Sequence, residues 1–577
     1  MKNKKNSKIW LILSSISALT TILPLAAISC DHKVKQNSKE NKEDSKPDQN
    51  KPEPKPENPT KEEDSSNLNK KFKFELTKSN TWKITKFIGN DSKITIPKEY
   101  QGKNITEIGN RAFFNSVIRS VTIAGSVKEI GESAFSGCRN IKKVVLNEGL
   151  EKIGAEAFKY TNIKSITIPG TVKEIGESAF SGCTNLKEVI LNEGLEKIGA
   201  RAFSNTKIES ITIPGSVKEI DNSIFSGCKN LEEVILNEGL EKIGAGAFRY
   251  TNIKSITIPG SVKEIGESAF FRCENLKEVI LNEGLEKIGA EAFYDTKIES
   301  IIIPGSAKEI GKYAFYGCTN LKEVILNEGL EKIGAGAFSH INIEYIIIPR
   351  SVKEIDESAL SDCEKLEEVI LNEGLEKIGN SAFSKTNIKS ITIPGSVKEI
   401  YKSTFSDCKN LEEVILNEGL EKIGAEVFKY KNIKSISIPG SVKEIGEGAF
   451  FNCINLKEVI LNEGLEKIGA GAFRYTNIKS ISIPGSVKEI GKYAFSGCEY
   501  LKEVILNEGL EKIGAGAFYY TKIKSITIPG SIKEIGEDAF SWCTNLEEVI
   551  YKGDASKINW ENIGIDKTKI KIISSNN

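Results

Sequence analysis

Histidine is nearly missing from this chain: only His32 and His340 occur in 577 residues. The shortage excludes histidine-based metal cages and most histidine acid–base machinery, because imidazole is the side chain that titrates near neutral pH and the commonest metal ligand. An excess of one charge is missing too. The 79 Lys and Arg are matched by 79 Asp and Glu, so the formal net charge is zero and nothing resembles the electrostatic footprint of a nucleic-acid binder. Eleven cysteines are present, but no two stand in C-x-x-C spacing, which removes the usual zinc pattern. What the chain does contain, 39% hydrophobic residues and 49 glycines, is the composition of a folded protein.

A basic stretch followed by an apolar one opens the chain. Residues 1–8 carry four lysines, and Ile9 to Ser29 carry no charge, the layout of an export signal. The segment ends in Ala27-Ile28-Ser29-Cys30, which resembles the lipobox of bacterial lipoproteins. That resemblance implies a signal peptide over 1–29, cleavage after Ser29 and acylation of the Cys30 sulfur. Two acyl chains hold a protein stably on a bilayer, each buried CH2 contributing about 0.8 kcal/mol. An uncleaved transmembrane anchor is the alternative, because about 20 apolar residues can span a bilayer. Both place the remainder outside the cytoplasm, on the extracellular face of the cell membrane. Residues 30–70, rich in Lys, Glu and Pro with almost nothing apolar to bury, read as a disordered tether.

The rest of the chain is one repeat. The string V-K-E-I-G-E-S-A-F-S-G-C recurs with variations from Val127, Val172 and Val217 through to Ile532, at a period of 45. Between these starts lies a related half, L-E-K-I-G-A-x-A-F, from Leu150 and Leu195 to Leu510, so the unit alternates between 23 and 22 residues. A period of this length with L-x-x-V-x-L spacing matches the leucine-rich repeat class. The expected fold is a solenoid of about 20 coils over 105–548, with a parallel β-sheet on one face and short helical turns and loops on the other. Residues 71–104 and 549–577 are atypical and would close the two ends.

Each coil has a readable interior. Leu186 to Leu191 and Ile163 to Ile168 alternate apolar and other residues over a β-branched stretch, the pattern of a half-buried strand with Val189 and Leu191 inward. Strands stop at Asn192-Glu193-Gly194 or Pro169-Gly170, which are turn formers. Val172, Ile175, Ala179 and Phe180 would fill the core, and one Phe recurs at the same place from Phe113 to Phe540, with Leu360 the exception.

The I-G-x-x-A-F-x-x-C segments, the Ile168-Pro169 and Ile213-Pro214 strand ends, and Val549-Ile550-Tyr551-Lys552-Gly553 followed by Trp560 resemble the BspA-like leucine-rich repeat family. The resemblance covers about residues 82 to 565 and implies a bacterial surface protein of a kind linked to adhesion and to binding host proteins or cells. The partner it implies is a host or extracellular protein or glycan, with the membrane contacted through the lipid anchor. Alternate strands depart from the family by ending in L-N-E-G instead of I-P. A structural or antigenic coat protein of variable repeat number is the competing reading, since L-N-E-G-L-E-K-I-G-A stands unchanged in eight of nine copies, Asn380 alone differing. Near-copies offer no unique cluster of nucleophile, base and oxyanion donors, so an enzyme is not expected, nor is any cofactor.

Candidate sites are then places where the repeat breaks. The ten repeat cysteines, Cys138 to Cys543, recur every second coil, about 9 to 10 Å apart by strand spacing and too far for disulfides. They read as buried thiols, and His340 reads as a surface variant. On the open strand face Ile alternates with Thr or Ser except between 280 and 370, where Ile302 and Ile347 replace Thr. Ile280, Ile302, Ile325, Ile347 and Ile370 then follow on five successive coils, with Tyr345 in place of Ser and Arg350 in place of Gly. An exposed apolar strip beside an aromatic and an arginine has the composition of a binding hot spot.

Overall fold

The computed structural model describes residues 65–573. The expected export signal, Cys30 and nearly all of the expected tether lie outside the described residues. Ser65–Lys71 form a helix whose one apolar residue, Leu68, is buried in the core.

From Lys93–Ile96 to Glu548–Tyr551, twenty-one four-residue strands follow one another, one per coil of about 23 residues. Ser165–Ile168 runs parallel to Glu188–Leu191 with all four positions in register. Within this pair Ile166, Ile168 and Val189 are buried while Thr167 and Ile190 face solvent, the two-residue alternation of a half-buried strand. Leu191 is only half-buried. A second, narrower parallel ladder of two-residue strands, such as Glu174–Ile175 beside Lys197–Ile198, runs from Glu107–Ile108 to Glu534–Ile535.

The two ladders differ in continuity. Four-residue strands pair fully across each 23-residue step, but across the 22-residue steps only Glu368↔Ser390 is paired among the described residues. The link there passes instead through Lys207 N–H to the Leu186 carbonyl (3.0 Å) and Glu209 N–H to the Lys187 carbonyl (3.2 Å). The strand face is therefore a file of coupled pairs rather than one unbroken sheet.

The narrow ladder explains why the repeat is double. One half reads Val172-Lys173-Glu174-Ile175 and the other Leu195-Glu196-Lys197-Ile198, so stacking sets opposite charges against each other at both positions. Lys173 meets Glu196 at 3.2 Å, and Lys152 meets Glu174 at 3.2 Å. Each exposed pair is worth about 0–1 kcal/mol, but an undivided 22-residue repeat would place like charges in register along the whole stack.

The far side of each coil is built from turns, and no α or 3₁₀ helix occurs among the described residues between 72 and 554. Glu156, Phe158 and Tyr160 donate their amides to the carbonyls of Glu177, Ala179 and Ser181 on the next coil at 2.7–3.0 Å. The amides between them close local turns, as in Ala157 N–H to Gly154 and Lys159 N–H to Glu156. Left-handed backbone at Glu156 (φ 55°) and Tyr160 (φ 59°), on either side of Phe158, aims the alternate amides the same way. A non-glycine residue costs about 1–2 kcal/mol in this conformation, which the inter-coil hydrogen bonds offset.

Inside, Val172, Ile175, Ala179 and Phe180 are fully buried. The phenylalanines stack face to face from Phe113 to Phe338 at ring separations of 4.7–5.7 Å. The buried Leu360 interrupts the row, which resumes from Phe383 to Phe540. At the start, an antiparallel hairpin of Phe72–Leu76 and Trp82–Phe87 packs Phe72 and Phe87 on Phe113. At the other end Ile570–Ile572 adds a parallel strand to Glu548–Tyr551, and Trp560 packs edge-on against the buried Tyr551.

The L-N-E-G ends are clamps between coils. The Glu418 carboxylate accepts the Gly440 and Ser441 amides, both at 3.1 Å, while Gly419 N–H donates to the Ser441 hydroxyl at 2.9 Å and that hydroxyl donates to the Leu420 carbonyl at 2.7 Å. Gly419 has φ +112°, and a Cβ there would lie 2.1 Å from the Gly395 carbonyl oxygen, so only glycine fits. The backbone amides hold the Glu373 and Glu418 carboxyls below the ordinary carboxylate value of 4.5. A carboxyl whose folded pKa is depressed adds stability above its unfolded value and loses it as pH falls through the folded one. The thermal midpoint should therefore drop on acidification below about pH 4.5, and the paired change Glu373→Gln, Glu418→Gln should flatten that acid limb in thermal melts across pH.

Candidate binding site

The strand-face residues singled out from the sequence lie where the alternation places them. Register sets Ile302 beside Ile325, Ile347 beside Ile370, Tyr345 beside Glu368 and Ile280 beside Thr257. Ile280 (46%), Ile302 (47%) and Tyr345 (37%) are exposed, as is Arg350, whereas Ile325, Ile347 and Ile370 are half-buried. Exposed isoleucine is general on this face: Ile460 (59%) and Ile505 (58%), set among serines, are more exposed than any of the strip. What separates residues 280–370 from the rest is isoleucine at this position on five successive coils, Ile302 paired with Ile325 and Ile347 with Ile370. Arg350 keeps the junction intact, because its amide donates to Glu328 at 3.1 Å as the glycine amide does elsewhere.

The ten repeat cysteines are free and buried. Each thiol donates to the carbonyl of the spine residue 25 positions earlier, as Cys183 does to Phe158 at 3.1 Å, and the Thr161 hydroxyl lies 3.2 Å from the same sulfur. Burial pushes the Cys183 thiol up to about 11 and that of Cys363 to about 12. A thiolate is the reactive form, so this column is inert packing. Lys431 stands where Thr161 and Thr206 stand in other coils. Burial lowers its pKa, and its ammonium donates to the Lys429 carbonyl at 2.8 Å. No group of three or more His, Cys, Asp or Glu among the described residues could hold a metal ion. His340 is exposed, packs edge-on to Tyr316 and lies 3.9 Å from Asp362.

Sequence reasoning missed a pocket on the turn segments. A cavity of about 430 Å³ is lined by Phe271, Arg272, Glu291, Tyr294, Tyr313 and Tyr316. The Phe271, Tyr294 and Tyr316 rings stack at 4.9 Å, and Tyr313 stands at 80° to Tyr316. The residue after the spine Phe is serine at Ser136, Ser181, Ser204 and Ser226, so three aromatics running through that column were the available signal.

Fold and side-chain columns define a leucine-rich repeat solenoid. The BspA type leucine rich repeat region matches in six copies, over 89–180, 151–277, 241–367, 286–412, 331–457 and 421–547, and the chain belongs to that family. Among solved structures it is similar to a leucine-rich repeat protein from Bacteroides ovatus, at 26% identity over 87% of this chain and 98% of that one, TM-score 0.40. A T. pallidum leucine-rich repeat protein is 31% identical over 31% of this chain and 86% of its own, TM-score 0.30. A leucine-rich cell surface protein from Faecalibacterium prausnitzii is 24% identical over 86% and 97%, TM-score 0.23. No curated protein matches.

The thiol column gives a direct check. In the native protein a disulfide reagent at mildly alkaline pH should leave all ten repeat cysteines unmodified. Unfolding in guanidinium should release all ten, counted by absorbance of the liberated thiolate.

Proposed function

We propose that this protein is displayed outside the cell, held to the membrane through Cys30, and binds an extracellular or host macromolecule on its strand face. The observation that carries the reading is the strip at Ile280, Ile302, Ile325, Ile347 and Ile370, set on five successive coils with Tyr345 and Arg350 beside it. Membership of the BspA type family supports it, as does the residue chemistry. Tyrosine and arginine are enriched at binding hot spots, and an exposed apolar patch is favourably covered by a partner. The partner that suits the strip is a protein with a complementary apolar patch, the exposed glutamates of the neighbouring columns forming a polar rim. Anchoring rests on the Ala27-Ile28-Ser29-Cys30 motif and the uncharged run before it.

The coat-protein reading draws on the near-identity of the L-N-E-G-L-E-K-I-G-A copies. The clamp at Glu418, Gly419 and Ser441 supplies a folding reason for part of that identity. The two readings separate in one experiment. The full chain should bind intact host cells or immobilised matrix proteins saturably, and the folded variant Ile302→Lys, Tyr345→Ala, Ile347→Lys should lose at least about tenfold in affinity, the loss of one to two hot-spot contacts. Unchanged binding by the variant removes the strip as the site. Absence of binding by the parent favours a coat protein.

A further inference from the structure

The pocket on the turn segments lies apart from the four-residue strands and is independent of the reading above. Its chemistry is shown by the repeat itself. Glutamate stands two residues before the spine Phe at Glu156, Glu291 and Glu426, in left-handed backbone each time (φ 55°, 55° and 56°). A serine of the preceding coil holds two of these carboxylates alike, Ser133 donating to Glu156 at 3.3 Å and Ser268 to Glu291 at 3.2 Å. Three residues further on, the first and third coils carry lysine. Lys159 pairs with Glu156 at 2.5 Å and lies 5.4 Å from the Tyr160 ring centroid. Lys429 pairs with Glu426 at 2.7 Å and lies 5.3 and 5.4 Å from the Tyr430 and Phe451 rings. An alkylammonium seated between a carboxylate and aromatic rings is thus a motif of this surface.

At the middle coil the lysine is replaced by Tyr294. Glu291 keeps its serine and its backbone conformation but has no ion pair within 4 Å among the described residues. Of the nearby cations, Arg272 lines the pocket, lies 5.6 Å from the Phe271 ring and has its charge matched by Asp295 at 3.5 Å, while Lys312 lies over the Tyr313 ring at 4.9 Å, so the Glu291 carboxylate is left without an ion-pair partner among the described residues. Tyr294 also opens the site, its ring joining Phe271 and Tyr316 as a wall with Tyr313 across the corner. A volume of about 430 Å³ falls in the range of small-molecule sites. Ring quadrupoles and a carboxylate together favour a cation over a neutral or anionic group.

We infer that this pocket receives the alkylammonium of a lysine side chain presented by a partner, taking the place that Lys159 and Lys429 fill from within the chain. Glu291 pairs with the ammonium, and Phe271, Tyr294, Tyr313 and Tyr316 enclose the alkyl stem.

The test titrates the full chain with Nα-acetyl-lysine methylamide, its trimethyllysine form and the uncharged Nα-acetyl-norleucine methylamide, by calorimetry and ligand-observed NMR. Expected is saturable binding of the lysine probe, at least about tenfold tighter than norleucine. Glu291→Gln should weaken it about tenfold, and Tyr294→Lys, which restores the Glu–Lys pair of the sister coils, should abolish it. Lysine already occupies that position at 159 and 429, so Tyr294→Lys should fold, as circular dichroism would verify. Equal binding of lysine and norleucine, preference for the trimethyl form, no binding of any probe, or undiminished binding by Tyr294→Lys would each overturn the assignment.

Discussion

A single coil of this protein cannot satisfy its own backbone or fill its own interior, and everything else follows from stacking at one-coil spacing. Strand amides, alternate turn amides and the narrow two-residue ladder find their partners a coil away. The apolar interior is likewise shared: away from Leu360 and the ends, each spine phenylalanine contacts the ring above and the ring below, so the core is a column rather than a set of separate centres. Stability is then a sum of nearest-neighbour terms, and a feature repeated in every coil is a feature of the interface between coils.

That constraint accounts for the composition. The swapped Lys-Glu and Glu-Lys pairs of the two half-repeats add no net charge and set opposite charges side by side in the ladder from Glu129 beside Lys152 onward. Cysteine is present in number without disulfides because a small buried thiol satisfies the spine carbonyl 25 residues back. The glycine of L-N-E-G is fixed by a positive φ and by a carbonyl oxygen that a Cβ would strike, and its glutamate by the two amides it accepts. Residues free of these duties vary along the stack, among them Ile302 and Ile347 on the strand face and Tyr294 and Tyr316 on the turns.

The period, the parallel strands, the phenylalanine column and the buried thiols were legible because period-two alternation and exact recurrence are signals of sequence alone. The left-handed turns were not, since Ser178, Glu156, Tyr160 and Arg201 share that conformation with no common side chain. The lapse of strand pairing at 22-residue steps was hidden for a similar reason: one residue fewer changes which amides meet without changing the apolar pattern. Leu191 was read as inward and is half-buried, lying at the strand end where Asn192 turns to cap the Ile168 carbonyl at 2.9 Å. The strand-face strip was visible as a break in alternation. The aromatic pocket showed only as three aromatics in one column, Phe271, Tyr294 and Tyr316; that Glu291 and Tyr313 of a second column and Arg272 of a third meet them depends on the turn geometry.

The central claim is that each coil is held by its neighbours through the spine, and native-state hydrogen exchange on Phe248→Ala tests it most directly. Removing a fully buried phenylalanine costs about 3–5 kcal/mol, and in a nearest-neighbour stack the lost protection should centre on the coils of Phe225, Phe248 and Phe270 and fade along the chain. Protection that falls equally in every coil, or stays unchanged beside Phe248, would contradict the account.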